Sequence, residues 1–125
     1  MATPSEQLQS MRQLAENWDG YGAAAPQSDT IDIAHELVGL VEDWLWKSTA
    51  EPCSIQVSPT RVGGVLIEWE NESWQHEVEI NPDRSMGFLH LNRATGVIET
   101  RRLVAIFPAV VDLGFLQELR QLLAA

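Results

Sequence analysis

The stretch VLIEWENESWQHEVEI, Val65–Ile80, holds two alternating runs around a polar break, and its reading decides the fold. Val65, Ile67 and Trp69 share one side of the first run. Trp74, His76, Val78 and Ile80 share one side of the second. A period of two marks a strand with one face buried and one face wet. Asn71, Glu72 and Ser73 form the break, so the two runs pair as antiparallel neighbours. Their apolar faces coincide only if paired positions sum to an odd number, because a slip of one residue turns every side chain over. The best such register sets Trp69 opposite His76, Ile67 opposite Val78 and Val65 opposite Ile80. The other face then carries Glu68 opposite Glu77, with Glu70 and Glu79 beside them.

Further strands flank this pair. Ser54 to Val57 alternates upstream, and Pro59 with Gly63 and Gly64 punctuates the chain before Val65. Downstream, Asn81-Pro82-Asp83 is a turn with proline at its favoured position, followed by a strand over Met86–Leu91. Ala94-Thr95-Gly96 is another turn, leading to a fifth strand over Val97–Arg102. Short strands joined by tight turns predict an antiparallel meander.

Helices bracket the meander. Thr3-Pro4-Ser5-Glu6 reads as a helix start, with Thr3 as N-cap, Pro4 at the first position and Glu6 as the capping-box carboxylate. Leu8, Met11, Leu14 and Ala15 form its apolar stripe, and it is expected to run to about Asn17. A second helix, capped by Ser28 or Asp29, is predicted to run to about Lys47. Its stripe is Ile31, Ala34, Val38, Val41 and Leu45, with Leu37 and Trp44 alongside. Gly39, on the flank with His35, Glu42 and Trp46, is expected to admit a close neighbour. Leu113, Leu116, Leu119 and Leu123 predict a C-terminal helix. The whole is an α+β domain of 125 residues: two N-terminal helices, about five antiparallel strands and a closing helix.

The most distinctive segment joins the first two helices: Asn17-Trp18-Asp19-Gly20-Tyr21-Gly22-Ala23. Its glycines permit positive φ, and Asp19 can bond its own backbone in an Asx-turn. Trp18 and Tyr21 are expected to pin the loop onto the core. With Pro26, this motif resembles a family of small bacterial proteins that open with it, then a helix, then a strand with a Gly-Gly turn and an Ile67-Glu68-Trp69 core. The resemblance covers roughly residues 14 to 100. It implies a bacterial or phage source, and no activity, cofactor or substrate.

Composition narrows the functions. Eighteen acidic residues against eight basic ones give a net charge of −10. Nucleic acids and anionic membranes are recognised through Lys and Arg, so neither is an expected partner. A basic protein would be steered toward this chain, although acidity also serves solubility alone. The single cysteine, Cys53, excludes an internal disulfide. It lies two residues from Glu51, a poor setting for a reactive thiolate. His35 and His90 show no metal-ligand spacing, and His76 beside Trp69 reads as a structural histidine. No cofactor motif is present. The first ten residues lack a signal-peptide pattern and no apolar run is long enough to span a membrane, so a cytoplasmic protein is expected.

Two functions fit. One is a non-enzymatic module that binds another protein, with the acidic face of Glu68, Glu70, Glu77 and Glu79 as its contact surface, unless that face is merely solvated. Five tryptophans favour contact surfaces, with Trp46 and Trp74 expected to be exposed. The other is a small enzyme or ligand-binding domain with its site at the Trp18–Tyr21 loop, where Asp19 is partnered by His76 or a sheet glutamate. Gly39, Trp46 and the leucine-rich tail suggest a homodimer.

Overall fold

The computed structural model describes residues 3–48, 54–70, 73–83 and 85–104, and their side chains except at 40, 44–48, 54 and 101–104. The predicted C-terminal helix, Cys53, and the side chains of Trp46, Arg101 and Arg102 therefore lie outside the described residues.

Helix α1 spans Pro4–Met11 and begins as the sequence predicts. Thr3 Oγ1 accepts from the Glu6 N–H at 3.1 Å, and the Glu6 carboxylate reaches back to the Thr3 N–H. The helix is shorter than its apolar stripe suggests. It ends at Arg12, and Leu8 and Met11 are buried while Ala15 is exposed. At the stop the Arg12 side chain crosses to the next helix, where it meets Ser28 Oγ at 3.1 Å and Asp32 at 2.5 Å. Helix α2 spans Ser28–Ser48. Ile31, Ala34, Leu37, Val38 and Val41 are buried as the periodicity requires, and Ile33 joins them. Gly39 does not mark a close approach: a Cβ there would have nothing within 4 Å.

Among the described residues five strands follow: β1 Ser54–Pro59, β2 Val65–Glu70, β3 Trp74–Ile80, β4 Ser85–Asn92 and β5 Ile98–Val104. They pair in chain order as one antiparallel meander. In β2 and β3 the register is the one that matched faces demand, with Trp69 opposite His76, Ile67 opposite Val78 and Val65 opposite Ile80. Both helices pack on this apolar face, α1 over β1 and α2 over β2 and β3. Among the described residues the core cluster runs from Leu8 through α2 to Ile67, Val78, Ile80, Met86 and Phe88. Each fully buried aliphatic side chain contributes about 1.5–3 kcal/mol, so this one interface holds the two layers together. The opposite face of the sheet carries the glutamates.

Candidate functional site

Register positions every side chain on the open face. Glu68 stands directly opposite Glu77, Leu66 opposite Glu79, and Glu70 opposite Gln75. Like charges directly across a strand pair repel. Burial and the nearby Glu77 and Glu70 carboxylates push the Glu68 carboxyl above its ordinary range. Two contacts relieve the cluster in part. Arg93 forms an ion pair with Glu70, and the Gln75 side-chain amide donates to Glu77 at 3.1 Å. Among the described residues no basic side chain meets Glu68 or Glu79. Arg102 shares a cross-strand row with Glu79, on the far side of Gly87.

Gln56, Glu68, Glu70 and Gln75, together with Trp69, line a cleft of about 80 Å³ on this side of the molecule. Drug-sized ligands and cofactors occupy roughly 300–1,000 Å³. A cleft this small matches the head of one side chain, such as an ammonium or a guanidinium, and its rim is polar. Among the described residues no group of three or more His, Cys, Asp or Glu side chains is arranged to hold a metal ion.

The Trp18–Tyr21 loop is built differently from the expected ligand site. Asn17, Gly20 and Gly22 all take positive φ, and Asn17 N–H donates to the Ala23 carbonyl at 2.7 Å, closing the loop on itself. Asp19 Oδ1 accepts the N–H groups of Tyr21 at 2.8 Å and Ala23 at 3.1 Å. Asp19 Oδ2 accepts from Arg61 Nε at 3.0 Å. Desolvation pushes the Asp19 carboxyl upward, but those two N–H donors and the Arg61 guanidinium outweigh it and hold it below the ordinary range. Both carboxylate oxygens are thus engaged in holding the loop, and neither His76 nor a sheet glutamate is its partner. Trp18 is half-buried and anchored through Nε1 to the Ala24 carbonyl at 2.8 Å. Tyr21 does not pin the loop: it is 83% exposed.

His76 has the expected neighbour, Trp69, and a second one, His90. His76 stacks on Trp69 with ring centroids 5.3 Å apart, and on its other side it meets His90 edge to face at 4.4 Å. Trp74 in turn packs edge to face on His90 at 4.4 Å, so it is half-buried instead of exposed. The signal was present in the sequence. Carrying the Asn81-Pro82-Asp83 hairpin register from Ile80–Met86 along β4 sets His76 opposite His90. Burial, with a smaller contribution from His90, lowers the His76 pKa to about 4, so its imidazole is neutral at pH 7.

These features define a small α+β protein with helices on one face of an antiparallel meander and a carboxylate-rich open face. No protein-family model, curated protein or solved structure matches this chain. Among the described residues no helix is long and apolar enough to cross a membrane.

Proposed function

We propose that this chain is a non-enzymatic interaction module that receives a basic protein partner on the open face of its sheet, as an antitoxin, immunity or chaperone-like protein does. The observation that carries this reading is the direct opposition of Glu68 and Glu77. Such a pair is unfavourable in the free protein, and a cation placed between the two carboxylates relieves it. The small polar cleft beside Glu68 suits the head of a lysine or arginine, and the net charge of −10 steers such a partner in. The resemblance to small bacterial proteins suits a bacterial cytoplasm as the setting. A ligand site at the Trp18–Tyr21 loop gains less support, because Asp19 is engaged within the loop.

The test pairs partner recovery with a double substitution. Tagged protein expressed in its own host is purified with whatever binds it, and the partner is identified by mass spectrometry. Glu68→Gln combined with Glu77→Gln should then weaken that complex and flatten its salt dependence. Unfolding stability should stay level or rise by about 0.5 kcal/mol as the repulsion is removed. Unchanged affinity sinks the proposal. A loss of stability shows instead that Arg102, which shares a cross-strand row with Glu79, neutralises the glutamates within the sheet.

A further inference from the structure

The two edges of the sheet are treated differently. An exposed strand edge offers unpaired main-chain donors and acceptors to other chains, and proteins usually blunt it. β1 is blunted. Its Val57 N–H points off the sheet and is taken by Gln7 Oε1 of α1 at 3.0 Å. Pro59, two residues on and next in the same outward row, has no N–H to offer.

β5 has no such protection among the described residues, where it ends the strand order with no strand beyond it. The Asn92 N–H donates to the Val97 carbonyl at 2.9 Å, which fixes the alternation along the β4–β5 pair. Glu99, Arg101 and Leu103 turn their main-chain groups toward β4, while Ile98, Thr100 and Arg102 turn theirs outward. Val97, just before this strand, and Ile98, its first residue, are 52% and 58% exposed.

We propose that β5 is a homodimerisation edge, along which two copies of this chain pair antiparallel to make one continuous sheet. The sequence of the strand selects a second copy as its occupant. In a two-fold pairing, the outward groups of residues 98, 100 and 102 must meet one another. With Thr100 on the axis, Glu99 of each copy lies opposite Arg101 of the other, and Ile98 lies opposite Arg102. Moving the axis by one residue sets Arg101 opposite Arg101 or Glu99 opposite Glu99, and like charges in direct opposition are unfavourable. The charge order Glu99-Thr100-Arg101 therefore favours the axis at Thr100 over either neighbouring position. Two arginines against one glutamate also make this strand a basic element in an acidic chain, so the general repulsion between copies is least along it.

Sedimentation velocity and light scattering on the full chain, over a range of concentrations, test the proposal. The expected mass is twice the 14.0 kDa of the chain. Thr100→Pro removes an outward N–H that the β4–β5 ladder does not use, so it should give a folded monomer with an unchanged far-ultraviolet circular dichroism spectrum. Glu99→Arg alone and Arg101→Glu alone should each raise the dimer dissociation constant by roughly tenfold or more, and the two together should restore it. A monomer at high micromolar concentration overturns the proposal. So does a dimer that all these variants leave intact, or a charge swap that fails to rescue. If Thr100→Pro does not fold, the charge-swap series decides alone.

Discussion

Trp69 and His76 stack across β2 and β3 with their ring planes 20° apart, and His90 closes the far side of the imidazole. This places a titratable ring inside an apolar layer. A histidine held neutral by burial must be charged when acid is added, and the fold resists that.

Stability should therefore depend on pH through His76. Its folded pKa, about 4, lies below the ordinary value of 6.5, so between these values the unfolded chain binds more protons than the folded one. Stability is fully present above pH 6.5 and falls as the pH drops toward 4, with a total loss of about 3 kcal/mol from this residue. Urea unfolding across this range should show the slope, and His76→Phe, which keeps an aromatic ring on Trp69, should remove most of it. A slope that survives the substitution would falsify the assignment to His76.

Two glycines should respond to alanine in opposite ways. Gly39 lies in α2 with open space around it, so Gly39→Ala should raise stability by about 1 kcal/mol through helix propensity. At Gly64 a Cβ would meet the Ile80 carbonyl oxygen at 2.3 Å, and that oxygen is main chain of β3 and cannot rotate away. Gly64→Ala should cost about 3 kcal/mol or disrupt the start of β2. Thermal denaturation of the two variants checks both signs, and a neutral Gly64→Ala would mean that the turn shifts to make room.

The β2–β3 register was legible because both strands alternate strictly and a half-buried pair tolerates only one parity. The same rule makes the Glu68–Glu77 opposition an unavoidable by-product of burying Ile67 and Val78. Contacts that depend on where a distant segment returns were not legible. Arg61 has nothing in its own neighbourhood to mark it as the partner of Asp19, since the β1–β2 turn that carries it is brought to the loop only by folding. Gln7 is likewise an ordinary helix residue until β1 passes beneath it. Tyr21 departs from expectation for a related reason: Trp18, Asp19 and Arg61 hold the loop, and the tyrosine ring stays 83% exposed. The end of α1 is hidden in the sequence because the apolar stripe continues at Leu14, which packs on the core from outside the helix.

The loop and the β1–β2 turn should behave as one unit. Besides the Asp19–Arg61 pair, Arg61 donates to the Tyr21 carbonyl at 2.5 Å, its own carbonyl accepts from the Ala24 N–H at 2.8 Å, and Gly63 accepts from Gln27 at 3.2 Å. Trp18→Ala removes a half-buried ring and its bond to Ala24, and should cost about 2 kcal/mol. Arg61→Ala should cost less, because its side chain is largely in water, where an ion pair contributes little. The two losses should not add, since both variants release the same loop from the same turn. Hydrogen exchange gives the sharper readout: either variant should speed exchange at Tyr21 and Ala23, whose N–H groups depend on Asp19 being held in place. Additive losses, with protection at Tyr21 and Ala23 unchanged in the Arg61 variant, would show that the Asx-turn stands without its clamp.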